Sequence, residues 1–206
     1  MFQQLVKFFV VFFVVVEPIS LIPLFAGLTA GASARYQRRM AYKACAIAFG
    51  ICVLFAFGGA PFLAIMGIAL SSFRIAGGTL LFLMSLEMVF ARTSGTRSTH
   101  PEEEESRRRE DISVFPLAFP FIAGPGALAT ILLESGEVHG KPALFAGFLA
   151  VVALVMFACL VVLLAAPRLM AVIGVTGANV MNRLSGVVLA ALAVQFIVDG
   201  IRGSFL

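Results

Sequence analysis

The amino-acid sequence predicts an all-α membrane protein of six transmembrane helices, arranged as a 3+3 inverted repeat with broken first and fourth helices. Composition predicts the class: 61% of the 206 residues are apolar and 13% are charged, and the mean hydropathy is +1.04. A water-soluble domain could not bury that much hydrocarbon. An internal repeat, together with prolines inside two of the spans, predicts the arrangement.

Apolar runs supply the six spans. A helix needs about 20 mostly apolar residues to cross a bilayer, so six spans use nearly the whole chain and leave no room for a separate soluble domain. The runs are roughly residues 5–30, 40–66, 73–91, 114–133, 143–165 and 184–201.

The first run has an alternative interpretation. Lys7, the apolar stretch 8–16 and the later Ala32-Ser33-Ala34 resemble a cleaved signal peptide. The small residues lie too far beyond the stretch for that, and the repeat needs this segment. We therefore interpret it as the first span.

Charge in the connections predicts the orientation. Eleven Lys and Arg residues fall in the first, third and fifth connections, against four on the opposite side. Positively charged short loops remain in the cytoplasm. This predicts a multi-pass protein of a bacterial-type inner membrane with both termini on the external, periplasmic face.

A charged linker divides the chain. Residues 92–111 contain four consecutive glutamates at 102–105 and three arginines at 107–109, with almost no apolar residues. Such a segment is typical of a flexible cytoplasmic linker, although a regulatory or lipid-binding role for the arginines stays open. It separates a first repeat, residues 1–91, from a second, residues 112–206.

Three blocks recur in the same order, at an offset of about 102 to 109 residues. The matches are Pro18 and Pro23 with Pro120 and Pro125, residues 60–68 with 166–175, and residues 74–77 with 183–186. Because each half holds three spans, the second half must enter the membrane in the opposite direction. Secondary transporters often have this architecture, with the substrate site near the midplane.

Prolines and glycines interrupt the first and fourth spans. The sequence around Glu17, Pro18 and Pro23 and that from Pro116 to Gly126 should break or kink both helices. Peptide groups freed in hydrocarbon are costly unless they line a cavity or find protein partners. The N-terminus of a half-helix would bind a carboxylate, and exposed backbone carbonyls would bind an ammonium group. The two together would suit a zwitterion. The alternative is two packed kinks without a ligand.

Glu17 is the strongest single candidate, because an ionisable group at mid-span usually faces a cavity or a partner. It could be a proton carrier, a cation ligand or a protonated carboxyl bonded to loosened backbone. Other polar residues in the spans are weaker candidates. We expect Gln195 to bond across helices, and Gly77, Gly78 and Gly186 to permit close packing; Ser20, Thr79, Ser85 and Thr130 could contact substrate or their own backbone.

The remaining reactive residues predict no chemistry. Cys45, Cys52 and Cys159 lie in apolar runs without a CxxC pair, and His100 and His139 lie in polar connections. We expect no metal, no cofactor and no nucleic-acid partner. Lacking a nucleophile and base constellation, the chain is not expected to be an enzyme.

Several motifs resemble the MarC family over almost the whole chain. They are Glu17-Pro18 with Pro23-Leu24-Phe25, residues 74–78, Phe115-Pro116-Leu117-Ala118 with residues 123–126, and residues 183–186. Some members, called SnatA, are similar to transporters of small neutral amino acids such as alanine and glycine. The family usually has Asp-Pro or Asn-Pro, then glycine and asparagine, in the first span, where this chain has Glu17, Ser20 and Leu21.

The combined expectation is a secondary transporter or exporter of a small neutral amino acid or similar solute. A proton or sodium ion would be the coupling ion, and membrane lipids would surround the protein. The alternative is a non-transporting membrane protein that binds a partner or lipids in the envelope. The predicted substrate-binding residues are Glu17, Pro18, Ser20 and Pro23 in one half and Gly124, Pro125, Gly126 and Thr130 in the other.

Overall fold

The computed structural model describes residues 2–90, 111–138 and 140–205, and within these ranges every regular element is helical. The elements are α1 (Phe2–Val16), a 3-10 turn (Pro18–Ser20), α2 (Leu21–Leu28), α3 (Ala34–Ile65), α4 (Leu70–Phe90), a wide-turn segment (Ser113–Ile122) and α5 (Pro125–Val138), followed by α6 (Pro142–Gly174) and α7 (Thr176–Phe205). Residues 92–110 of the predicted linker, which include His100, lie outside the described residues, as does His139.

The number of membrane-crossing helices agrees with the sequence prediction. In the described part of the chain, five helical stretches are long and apolar enough to cross a bilayer, the first running from Phe2 through Leu28. The wide-turn segment and α5 form a pair bent by 58°, and counting that pair as one span gives six. Many large apolar side chains face outward, as a hydrocarbon solvent allows; Ile65 is 86% exposed and Val172 is 87% exposed.

The last two helices are longer than their apolar runs. Arg168 and Arg183, which the sequence placed in a fifth loop, lie inside α6 and α7. The connection is a turn at Gly174, with φ 66° and ψ 176°, a conformation open essentially only to glycine. The chain reverses direction at this turn. Gly147 near the start of α6 lies against Leu5, and Gly200 near the end of α7 lies against Ser71, so the two helices meet the same end of the bundle.

Ion pairs mark the two ends of the helix bundle. Lys43 on α3 pairs with Asp111 at the start of the fourth span, on the side of the Thr29–Ser33 connection. Arg74 on α4 pairs with Glu137 near the end of α5, on the side of both termini. The fourth span is thus held to α3 at one end and to α4 at the other.

Small residues bring α4 and α7 together as an antiparallel pair. A Cβ on Gly78 would lie 2.9 Å from the Ala193 carbonyl oxygen, and one on Gly200 would lie 2.9 Å from the Ser71 carbonyl oxygen. Near the other end, a Cβ on Gly186 would lie 2.9 Å from Met88 Cβ. Close backbone approach over small residues is the usual basis of helix association in membranes. The packing role predicted for Gly77, Gly78 and Gly186 is confirmed, since Gly77 meets Ala129 in the same way.

Aromatic and sulfur side chains fill the interior. The rings of Phe8 and Phe148 stack with centroids 4.5 Å apart and join α1 to α6. Cys45, Cys52 and Cys159 are all buried and free, which confirms their interpretation as small core residues.

Candidate functional site

The first span is interrupted at Glu17. This residue adopts a left-handed conformation, with φ 52° and ψ 61°, which is uncommon for a non-glycine residue. The cause is local: Pro18 disfavours the helical region for the residue before it and cannot donate a backbone hydrogen bond. The Glu17 amide still closes α1 by donating to the Phe13 carbonyl at 3.0 Å, and the Glu17 carbonyl accepts from Ser20 N–H at 3.0 Å.

The prolines around this interruption begin helices. Pro18 is the first residue of the 3-10 turn and Pro23 is the third residue of α2. Amides in the first turn of a helix have no partner within the helix, so a proline there sacrifices no hydrogen bond. The chain resumes as α2 directly after a break of a few residues.

The Glu17 side chain is buried, with 4% exposure. It borders a cavity of about 240 Å³, which is otherwise lined mainly by apolar side chains of α1 and α7. Nearby, the Ser20 hydroxyl oxygen is buried and finds no hydrogen-bond partner among the residues that the structure describes. A carboxyl group and a buried hydroxyl thus lie at one irregular stretch of backbone, where polar groups are costly without a function or a partner.

The second interruption has a different geometry. Phe115 and Phe119 are extended, with φ near −124° and −132°, as expected for residues that precede proline. Both Phe-Pro peptide bonds are cis. The backbone bridges these residues with wide hydrogen bonds that span five positions: Leu117 N–H donates to the Ile112 carbonyl at 3.3 Å and Ala123 N–H to the Ala118 carbonyl at 2.8 Å.

Glycines pack tightly where α5 begins. A Cβ on Gly124 would lie 2.3 Å from the Pro120 carbonyl oxygen, so no larger residue fits without moving backbone. A Cβ on Gly126 would lie 2.3 Å from Leu81 Cδ2 and 3.4 Å from Val15 Cγ1. The contact with Val15 places the N-terminus of α5 beside the last turn of α1, two residues before Glu17.

The structure brings the two predicted half-sites into proximity but does not merge them in one cavity. Besides the contact between Val15 and Gly126, α2 contacts the wide-turn segment. The cavity, however, is lined by Glu17 and Pro18 from the predicted set, and not by Ser20, Pro23 or any of the residues from Gly124 to Thr130. Pro23 is partly buried on α2, and Pro125 is the first residue of α5.

Several predicted polar residues bond to their own helices. The Thr130 hydroxyl is fully buried and donates to the Gly126 carbonyl at 2.9 Å; Thr79 and Ser85 bond in the same manner to Ile75 and Phe82. The expectation that Gln195 bonds across helices is wrong. Its amide donates to Asp199 Oδ1 at 2.8 Å, one turn further along α7, because that carboxylate is within reach on the same helix face.

Sequence reasoning missed the opposite wall of the cavity. It is formed by Leu184, Ser185 and Val188 on α7. The repeated block at residues 183–186 pointed to this turn, but only as a packing element. The described residues also contain no group of three His, Cys, Asp or Glu side chains that could hold a metal ion.

Comparison with known proteins identifies the family. A model of the MarC family of integral membrane proteins matches residues 2–205. The chain belongs to the MarC family. The resemblance found in the sequence motifs is therefore confirmed, and it covers nearly the whole chain.

Relatives are found in distant bacteria. The UPF0056 membrane protein YhcE of Escherichia coli (strain K12) is 35% identical over 97% of this chain and 92% of its own length. A UPF0056 membrane protein of Aquifex aeolicus is 36% identical over 96% and 92%, and YvbG of Bacillus subtilis is 34% identical over 100% and 97%. No solved structure matches the chain.

Proposed function

We propose that this MarC-family protein is a secondary transporter or exporter of a small neutral amino acid or a similar small solute. It would work in a bacterial-type inner membrane with both termini on the external face. Residues 1–91 and 112–206 would form two inverted three-span repeats, connected by the charged linker. Alternating exposure of a midplane site between the first and fourth spans would move the solute.

The buried carboxyl group of Glu17 carries this proposal. It lies on an interrupted membrane span, is 4% exposed and borders a cavity of about 240 Å³. A structural kink needs the proline but not the acid, whose burial costs about 3 kcal/mol on insertion scales. That cost favours a role for the acid in binding a cation, a proton or the ammonium group of a substrate.

The start of α5 supplies complementary chemistry. The N-terminus of a helix carries a partial positive charge and unpaired amides, and this one lies beside the last turn of α1 through the contact between Gly126 and Val15. A carboxylate near α5 and an ammonium group near Glu17 would satisfy both ends of a zwitterion. The Ser20 hydroxyl is buried without a partner in the described part of the chain. It follows Pro18 and Ile19, which line the cavity, and it would bond a substrate that extends past them.

Transport in proteoliposomes tests the proposal. Purified protein would be reconstituted with an internal load of alanine, glycine or serine, and exchange of the labelled amino acid would be followed with and without a proton or sodium gradient. We expect saturable counterflow for at least one amino acid. We also expect Glu17→Gln to abolish the response to the coupling gradient.

A folded but inactive protein would refute the proposal. The control for folding is a single symmetric peak in size-exclusion chromatography and a cooperative thermal transition. Absence of flux for every solute, from protein that passes both controls, would favour the non-transporting alternative. That alternative would gain direct support if deletion of residues 97–109 abolished a cellular phenotype that Glu17→Gln left intact.

A further inference from the structure

A polar pocket lies at the bundle end opposite the termini and shares no lining residue with the cavity at Glu17. It has a volume of about 390 Å³ and is formed between the first turns of α3 and the end of the α6 span. Arg38 enters it from α3 and Arg168 from α6, with Gln37 and Tyr42 at its sides. None of the residues that line it is acidic.

Both arginines of the pocket are without a carboxylate partner among the described residues. Lys43 and Arg74 form ion pairs with carboxylates, whereas neither Arg38 nor Arg168 forms one with any described residue. Two guanidinium groups that converge on one pocket repel each other unless an anion lies between them. Their planar donor geometry suits the oxygens of a phosphate.

The surroundings of the pocket favour a lipid over a soluble anion. Exposed apolar side chains continue along the same face of α6 from Arg168 toward the membrane interior: Leu164, Val161, Phe157 and Leu154. These residues recur at helical spacing, so they form one stripe. From position 154 to position 168 the helix rises about 21 Å, more than the roughly 15 Å of one hydrocarbon leaflet. A phosphate in the pocket would therefore have its acyl chains beside this stripe.

We infer that Arg38 and Arg168 form a binding site for the phosphate headgroup of an anionic phospholipid, in the leaflet at the bundle end opposite the termini. Basic pockets between membrane helices are typical sites for such headgroups. Gln37 is already held, since its side-chain amide donates to the Thr29 carbonyl at 3.3 Å. It therefore connects the pocket wall to the end of the first span. The inference does not depend on the transport activity proposed above.

Native mass spectrometry of detergent-purified protein tests the inference. The protein would be titrated with dioleoyl phosphatidylglycerol and, separately, with dioleoyl phosphatidylcholine, which has the same acyl chains. We expect selective binding of phosphatidylglycerol, and we expect Arg38→Gln combined with Arg168→Gln to weaken it by about 30-fold, the factor for two arginines near an anionic headgroup. Binding of phosphatidylcholine should not change.

The matched control removes the same amount of charge, two arginines, from the first turns of α3. Arg35 and Arg39 are exposed on α3 but do not line the pocket, so Arg35→Gln with Arg39→Gln should retain the selectivity. If both pairs weakened binding equally, general charge attraction would explain the result and the inference would be overturned. If the glutamine pair did not fold, Arg38→Lys with Arg168→Lys would replace it, with a smaller loss expected because lysine keeps the charge but not the planar donors.

Two further outcomes would identify a different occupant. Inorganic phosphate that displaced phosphatidylglycerol at equal concentration would show that the acyl chains contribute nothing. Selectivity that emerged only after residues 102–105 were changed to glutamine would show that the acidic linker of the chain fills the pocket. Either result would overturn the lipid assignment.

Discussion

The prolines that interrupt the first and fourth spans have the same spacing in the sequence, Pro18 with Pro23 and Pro120 with Pro125, yet the two interruptions differ in chemistry. The first contains a buried carboxyl group, a cavity of about 240 Å³ and a buried hydroxyl. The second contains no acidic residue from position 113 to position 130, and its glycines are in close contact with neighbouring backbone and side chains. The first interruption thus has polar side chains and free space, whereas the second is closely packed and offers only the backbone amides at the start of α5.

This difference gives each interruption its own experimental signature. Substitutions in the packed region around Gly124 should lower the stability of the protein more than they change substrate binding. Replacement of Glu17 by Gln should affect function more than stability, because the amide keeps the shape and hydrogen-bonding capacity of the side chain and removes a buried ionisable group, which is costly to the fold. The four predictions below test that separation, from the largest expected effect to the smallest.

Gly124→Ala should be severely destabilising. The added Cβ would lie 2.3 Å from the Pro120 carbonyl oxygen, and a backbone atom cannot rotate away as a side chain can. Overpacking of this kind costs about 1–3 kcal/mol or more, so we expect a lower thermal midpoint in detergent and a smaller monodisperse fraction. Gly27→Ala on α2 is the matched control, because a Cβ there meets nothing within 4 Å. An unchanged midpoint for Gly124→Ala would show that the second interruption is not tightly packed.

Glu17→Gln should preserve or raise the thermal midpoint while it reduces transport. Loss of a hydrogen bond to a charged group costs about 1.5–3 kcal/mol, which corresponds to about 10- to 100-fold in flux at low substrate concentration. Glu134→Gln, the same chemical change at a partly buried position on α5, is the control and should retain flux. A large fall in stability for Glu17→Gln would mean that the carboxyl group is structural.

Ser20→Ala and Thr130→Val compare one hydroxyl from each interruption. The Ser20 hydroxyl is buried without a partner in the described structure, so its loss should leave stability unchanged and raise KM by roughly 2- to 10-fold, as expected for one neutral hydrogen bond to substrate. The Thr130 hydroxyl already donates to the Gly126 carbonyl, so its loss should leave KM unchanged. The reverse pattern in KM would assign a hydrogen bond with the substrate to the Thr130 side chain instead of Ser20.

The sequence was sufficient to predict an all-helical membrane protein and the position of its apolar spans, because hydrophobic length and proline position act locally. The 3-10 turn that precedes α2 begins at Pro18, and α5 begins at Pro125. Partners across the bundle could not be predicted in this way. Leu184 and Ser185 face Glu17 because of the register between α1 and α7, which no local pattern records.

The same limit explains the errors at the level of single residues. Whether Gln195 bonds across helices or along its own depends on which carboxylate is nearer, and Asp199 is one turn away. The length of α6 was underestimated for another reason. Pro167 and Arg168 interrupt the apolar run but not the helix, since a helix that has left the hydrocarbon needs no apolar side chains.

Removal of the ion pair between Lys43 and Asp111 should have the smallest effect on stability. This pair lies just before the second interruption in the chain. Hydrogen bonds from the Lys43 side chain and from Ser113 lower the pKa of Asp111 from 3.8 to about 2. The folded pKa is depressed, so the stabilisation is complete above pH 4 and is lost as the pH falls toward 2. Both side chains are at least 40% exposed, which limits the contribution to about 0–1 kcal/mol.

Asp111→Asn should therefore lower the thermal midpoint slightly at pH 7, and the difference from the wild type should shrink as the pH is lowered from 4 to 3. Lys43→Gln, compared with wild type over the same pH series, tests the pairing itself. Adding Lys43→Gln to Asp111→Asn should lower the midpoint less than Lys43→Gln does in the wild type, because the partner is already gone. If Asp111→Asn also reduced transport, a contact at the membrane surface would control the geometry of the second interruption, and the division between a chemical and a packed region would fail.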